Sequence, residues 1–290
     1  MKGAALLLIA ALAAHPAGAA TRTVTDDSGK PVTVDTAQCR VISLAPGTTA
    51  MLYAAGAGRC LVGTIAHSKE PAEAERLTVV GDAETLDFEM LVSLRPSVVV
   101  VAVDVVQRMR IDRIRTLGIP VYEVHVTSLA QMPQSLRRLG ALTGSAAEAD
   151  RAAAALSSEL ARIAGRYQGR APVRVLYQIW DRPIYTIGGR HVISDALQLC
   201  GARNVYADLQ TAAPAVTRED ALLRNPQLII ASGPPDVAAE WLAEWRKFPA
   251  LSAVHDSRLV AYSDERIDRM GPSVVAATAE LCELVDRARR

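Results

Sequence analysis

The histidines and cysteines of this 290-residue chain are its best candidates for holding a metal, and their spacing argues against it. His15, His67, His125, His191 and His255 form no HExxH pair, and Cys39, Cys60, Cys200 and Cys282 form no CxxC pair. A structural zinc site draws its four ligands at short spacings. Nucleophilic catalysis fares no better. The chain lacks a GxSxG elbow, a Walker loop and a strand-linked GxGxxG with a distal acid, so a non-enzymatic role is expected. The remaining groups suit holding a guest. His67 carries an imidazole that could take an axial position on a metal chelate if the fold set it beside a cleft. His191 follows Gly188-Gly189-Arg190 at an expected helix start, where free backbone N–H groups and a guanidinium could hold a carboxylate or phosphate.

Two glutamates stand out by repetition. Glu89-Met-Leu-Val-Ser-Leu-Arg-Pro96 runs into Ser-Val-Val-Val-Val, and Glu219-Asp-Ala-Leu-Leu-Arg-Asn-Pro226 runs into Gln-Leu-Ile-Ile-Ala, with the same glutamate-to-proline spacing. Arg40-Val-Ile-Ser-Leu-Ala-Pro46 is echoed in the same way by Arg174-Val-Leu-Tyr-Gln-Ile-Trp180. Two copies of one βα plan explain both echoes and place Glu89 and Glu219 at corresponding points, each in the first turn of a helix whose dipole favours a carboxylate.

The elements that must position these groups follow from the hydrophobic pattern. Residues 23–35 alternate around Asp27-Ser28-Gly29 as a hairpin. Apolar runs at 41–44, 61–64, 98–103 and 121–124 read as strands, with helices at 48–56, 88–94, 105–117 and 129–142 between them. Such unbroken runs fit parallel strands covered on both faces. Residues 146–167 hold neither Pro nor any Gly before Gly165, and predict a helix about 33 Å long, a rigid connector. Strands at 173–179, 228–231 and 259–262 then alternate with helices at 191–199, 218–223, 238–245 and 273–289. The expected fold is α/β: two βα lobes, residues 21–144 and 169–290, with parallel central sheets, joined by one long helix at 145–168 and enclosing a cleft. Ligands of open parallel sheets bind at the carboxyl ends of the strands. That rule selects Pro46, Gly47 and Thr48, the loops of His67 and Ala83, Ala102, Trp180 to Tyr185, and Ala213. Trp241 and Trp245, four apart, read as packing on one helix face.

Composition narrows the destination. Lys and Arg number 32 against 31 Asp and Glu, and aromatic residues are 4% of the chain, so a basic surface or stacking platforms for nucleic acid are lacking. Residues 1–20 combine Lys2, an apolar stretch, Pro16 and small residues at Ala17 and Ala19, the pattern of a cleavable secretory signal. Its apolar stretch is shorter than the ~20 residues a membrane span needs. The first cysteine, Cys39, lies far from the cleavage site, so no lipid anchor is expected, and a monomer in the periplasm is. Four cysteines in an oxidising compartment allow two bridges in three connectivities. Pairing Cys39 with Cys60 and Cys200 with Cys282 keeps each bridge within one lobe, worth about 3 and about 4.5 kcal/mol as chain-entropy upper estimates.

The run RVISLAPG at 40–47, followed by TTAMLYAAGAG and LVG, the two glutamate-to-proline segments, YTIGGRHVISDALQLCGARN and LCELVD, carries a family likeness. Over residues 38–287 the chain resembles the periplasmic cobalamin-binding proteins of bacterial ABC importers and, more broadly, the helical-backbone substrate-binding proteins for cobalamin, haem and ferric siderophores. The resemblance implies capture of a metal-containing macrocycle or chelate, with a corrinoid favoured and no covalent cofactor. It implies docking of Glu89 and Glu219 to a dimeric inner-membrane permease, and a bridge between Cys200 and Cys282. It also sets His67, Ala83, Ala102, Tyr185 and Ala213 where relatives place aromatic rings. Only Tyr185 keeps a ring, so a larger ligand or other side chains must fill the room. His67 could coordinate the iron of haem or the cobalt of a corrinoid; a haem or ferric-siderophore binder of the same fold, and a periplasmic sensor without transport, remain alternatives.

Overall fold

The computed structural model describes residues 21–35, 38–82, 84–103 and 106–290, so the expected leader, Ala83 and the start of the helix expected at 105 lie outside the described residues. The chain opens with β1 (Thr21–Thr25) and β2 (Pro31–Asp35), an antiparallel hairpin. The first lobe continues with β3 (Val41–Ser43), α1 (Pro46–Ala54), β4 (Leu61–Thr64), β5 (Thr78–Val79), α2 (Phe88–Ser93), β6 (Val98–Ala102), α3 (Arg108–Thr116), β7 (Val121–Val124) and α4 (Met132–Thr143). Then α5 (Ala146–Tyr167) leads into the second lobe: β8 (Val173–Trp180), β9 (Ile184–Thr186), α6 (Val192–Leu199), β10 (Ala202–Asn204), β11 (Ala215–Val216), α7 (Arg218–Arg224), β12 (Leu228–Ser232), α8 (Pro235–Trp245), α9 (Ser252–His255), β13 (Leu259–Tyr262) and α10 (Val274–Arg287).

The first sheet, in the order β5-β4-β3-β6-β7, is parallel throughout, as its unbroken apolar runs predict. The second differs from expectation. β8, β10, β12 and β13 pair in parallel, but β9 runs antiparallel to β8 and β11 antiparallel to β9. Residues 181–183 turn the chain straight back, so Trp180 pairs with Tyr185 and no length is left for the crossover that a parallel neighbour requires.

Strand alternation divides the core. Val98 and Val100 of β6 point into a cluster shared with α4, α5, α6 and α10, while Val99 and Val101 point into a second cluster with Ile111 and Ile114 of α3. A third cluster, built on Leu176, Ile229, Trp241 and Trp245, covers the outer face of the second sheet. The shared cluster runs unbroken from Val32 to Ala288. Along α5 its contributors Ala149, Ala153, Leu156, Leu160, Ile163 and Tyr167 fall three or four apart and form one buried stripe.

The internal echo is structural. Val41 pairs with Val98 as Val175 pairs with Leu228. Arg40 donates from Nε and Nη2 to the Leu94 carbonyl at 2.9 and 2.7 Å, and Arg174 donates likewise to the Asn225 carbonyl at 3.3 and 2.9 Å. In both copies the residue before the proline, Arg95 or Asn225, is left-handed at φ +44°. Disulfides join Cys39 to Cys60 and Cys200 to Cys282, across sequence separations of 21 and 82 residues.

Glu123 anchors the hairpin to the first lobe. Its buried carboxylate accepts hydrogen bonds from Ser28 Oγ at 2.7 Å, Arg108 Nη1 at 2.8 Å, Lys30 Nζ at 3.3 Å and Arg115 Nη2. Burial pushes the carboxyl up, but the hydrogen bonds from Arg115, Ser28, Arg108 and Lys30 outweigh it and bring it down to about 2.

Candidate ligand cleft

The cleft begins where β3 ends. Pro46 occupies the first turn of α1, where its missing N–H costs nothing. The hydroxyls of Thr48 and Thr49 turn into the lobe: Thr48 Oγ1 meets Ser43 Oγ at 2.6 Å and Thr49 Oγ1 meets Thr64 Oγ1 at 2.8 Å. What α1 presents to the cleft is therefore its backbone and small apolar groups. Ala45, Pro46, Gly47, Thr48, Ala102, Val124 and Val126 of the first lobe face Asp268, Arg269 and Met270 of the second across a pocket of about 130 Å³.

Gly47 sits at the tightest point. A Cβ there would lie 2.7 Å from the Met270 carbonyl oxygen, so only glycine lets the two lobes meet. Gly47→Ala is expected to force the 268–271 strap aside and cost about 1–3 kcal/mol, the usual range for overpacking. Differential scanning calorimetry checks this, and an unchanged Tm would show that the strap yields freely.

Asp268 is accessible from the cleft, yet loss of surrounding water, followed by the like charges of Glu265 and Asp264, pushes its carboxyl up to about 6. A folded pKa raised above its ordinary value adds stability below pH ~4, and that contribution is lost as pH rises through 6. Asp268→Asn is therefore expected to stabilise the protein at pH 7.5 by no more than about 1 kcal/mol, because solvent reaches the carboxyl and screens it. The gain should shrink between pH 6 and pH 4. A gain that grows toward low pH in thermal melts would contradict this reading.

The structure gathers Pro46, Gly47, Thr48 and Ala102 in this pocket and leaves other sequence-derived candidates outside its wall. His67 is exposed in the loop after β4, in left-handed backbone at φ +66°. Ala83 lies outside the described residues. Tyr185 is half-exposed on β9 and pairs with Ala215, and Ala213 is exposed just before β11. Trp180, 57% exposed, lines a different pocket of about 540 Å³ with Trp241 of α8. Trp245 is packing, as expected: it is buried and donates from Nε1 to Gln178 Oε1 at 2.7 Å.

The expected anion cradle at Gly188-Gly189 is not one. Gly188 N–H donates to the Ala212 carbonyl and Gly189 N–H to the Leu209 carbonyl, both at 2.9 Å, and a Cβ on either would strike the carbonyl oxygens of residues 207–211. These glycines permit close backbone contact. His191 caps α6 through Nδ1, which accepts from Ile193 N at 3.2 Å. Among the described residues no group of His, Cys, Asp and Glu is arranged to hold a metal ion.

Asp268, Arg269 and Met270 were missed by sequence reasoning, because Asp-Glu-Arg-Ile-Asp-Arg-Met reads as a charged surface loop. The signal was present: the segment follows β13, and the strand-end rule that selected Pro46 applies there equally.

Glu89 and Glu219 are both exposed and both second in their helices, α2 and α7. Asp87 caps one helix by accepting from Met90 N at 2.9 Å, and Thr217 the other by accepting from Asp220 N at 3.1 Å. Neither glutamate makes an ion pair with the described residues.

Comparison with known proteins agrees with this geometry. The chain is 31% identical over 245 residues to a vitamin B12-binding protein of Pectobacterium carotovorum, covering 84% of this chain and 87% of that protein. It superposes on the periplasmic vitamin B12-binding protein of Vibrio cholerae with a TM-score of 0.77 at 27% identity, covering 87% of this chain and 98% of that one. A periplasmic haem-binding protein of Roseiflexus shares the fold, with a TM-score of 0.73 at 21% identity over 87% of this chain and 99% of its own. No helix among the described residues is long and apolar enough to cross a membrane. Residues 41–264 match the periplasmic binding protein family, a substrate-binding type, and the chain belongs to it.

Proposed function

We propose that this protein captures a corrinoid between its lobes in the periplasm and delivers it to the permease dimer of an inner-membrane ABC importer. The observation that carries the reading is the apolar pocket at the strand ends, walled by both lobes, in a chain 31% identical to a vitamin B12-binding protein. The lobes correspond to residues 21–144 and 169–290, and a signal in residues 1–20 directs export. The pocket wall is aliphatic apart from Asp268, Arg269, Met270 and the inward-turned Thr48, which suits holding an apolar guest.

At about 130 Å³ the pocket is smaller than the roughly 300–1,000 Å³ that drug-sized ligands occupy, so a macrocycle enters only when the Gly47–Met270 contact opens. Because α5 and the shared core tie the lobes together, the opening is a small rocking rather than a wide hinge. His67 stands outside the wall of this pocket, which favours the corrinoid reading over one with an axial imidazole.

Titration of the purified protein with cobalamin, cobinamide, haemin and a ferric siderophore, followed by absorbance, tests the function. Saturable binding of the corrinoids alone is expected. Binding of haemin or siderophore in their place would transfer the function to that chelate, and silence toward all of them would favour a sensor.

A further inference from the structure

The lobes meet again beside the cleft. Asp268, Arg269 and Met270 line the apolar pocket, and Pro272 and Ser273, just beyond them, line a separate groove of about 580 Å³ on the flank. α1 is divided in the same way: Gly47 and Thr48 face the pocket, while Ala50, Tyr53 and Ala54 face the groove. Between the two spaces the strap lies directly on α1. A Cβ on Gly271 would come within 3.2 Å of the Ala50 Cβ, just as one on Gly47 would meet the Met270 carbonyl. The strap is therefore a thin partition with open room on either side, and unlike a close-packed interior it can shift without displacing a core.

Ser273 fastens this partition. It occupies the cap position of α10, where a serine hydroxyl ordinarily accepts from the first turn, yet its side chain makes no capping bond. Its Oγ donates instead to Glu70 Oε2 at 2.7 Å, from the second lobe to the first and across 203 residues of sequence. Glu70 stands in the loop after β4 and makes no ion pair with the described residues. A different bond between the lobes, from Leu129 N–H to Asp195 Oδ2 at 2.6 Å, lies over the shared core in which Leu129 is buried. One bond thus sits where the lobes are fused, and the other where they can part.

We infer that the strap from Asp268 to Ser273 is a gate and the Ser273–Glu70 hydrogen bond its latch, so that the protein without a guest holds itself closed. The inference rests on the proposed function, which requires the Gly47–Met270 contact to part before a macrocycle enters. A binder whose competent state is a minor fraction of the whole shows an affinity reduced by that fraction. A hydrogen bond to a carboxylate biases such an equilibrium by about tenfold or more. Removing the latch then tightens binding, the opposite of what deleting a contact to the guest would do.

Two measurements on the full-length mature protein test the latch. In isothermal titration calorimetry, Ser273→Ala is expected to lower the Kd for cobalamin about tenfold, while Ser273→Thr, which keeps the hydroxyl, stays within about twofold of wild type. Without ligand, hydrogen exchange of the amides at 268–275 should quicken by about the same factor in Ser273→Ala. Unchanged or weaker cobalamin binding by that variant, or unchanged exchange, would overturn the latch and leave the proposed function standing. A wild-type protein that binds no corrinoid would overturn the proposed function, and the exchange rates would then decide the latch by themselves.

Discussion

Reversing Glu89 and Glu219 together to lysine is expected to abolish uptake of labelled ligand by cells that depend on this protein, while ligand affinity measured on the purified variant stays within about twofold of wild type. The two glutamates share a position in a repeat whose strand register and left-handed helix end are duplicated, with an arginine clamp in each copy whose acceptor carbonyl shifts by one residue. Two equivalent carboxylates suit a two-fold partner that presents a cation to each. Close charge pairs across interfaces couple by roughly 1.5–7 kcal/mol, so reversing both sites removes at least about 3 kcal/mol, more than a hundredfold in affinity. Each single reversal should give an intermediate rate, with its defect relative to wild type shrinking at higher ionic strength. Transport by the double variant at the wild-type rate would refute the docking assignment, and a parallel loss of ligand affinity would point to misfolding instead.

Glu123→Gln should be the most damaging conservative substitution outside the cleft. The carboxylate is buried, and three cationic side chains together with Ser28 converge on it. Removing one partner of a buried ion pair costs roughly 3–5 kcal/mol, and the lower end applies here because Lys30 and Arg108 remain half-exposed and can regain water. About 3 kcal/mol corresponds to a Tm lowered by about 10 °C in a domain of this size. The carboxyl's folded pKa of about 2 lies below its ordinary value, so its contribution is complete above pH ~5 and is lost as pH falls toward 2. Thermal melts of both proteins should therefore converge in acid, and a gap that persists at pH 2.5 would show that Glu123 acts through packing alone.

Most of the fold was legible because its strands are buried on both faces. The run 98–101 needs no neighbour to be recognised as a central strand, and 146–167 is a helix by composition alone. Sheet edges carried no such mark. Thr78–Val79 and Ala215–Val216 are two-residue strands, defined by the backbone that accepts them rather than by any pattern of their own. The cleft divided along the same line. Pro46, Gly47, Thr48 and Ala102 follow strands that the apolar pattern locates, whereas Asp268 to Met270 hide in a charged loop whose place depends on tertiary contact. Gly188 and Gly189 misled for a related reason. A glycine pair before a helix looks the same in sequence whether its N–H groups await an anion or already meet the carbonyls of a neighbouring segment.

The unbroken core beneath both lobes has a mechanical consequence. With α5 and its buried stripe common to both halves, the lobes cannot melt or swing independently, and heating should reveal one cooperative transition rather than two. Any signal that distinguishes a loaded carrier from an empty one must then travel as a slight change in the spacing of two surface acids held on a single stiff frame. The membrane partner would read such a change as a caliper reads width.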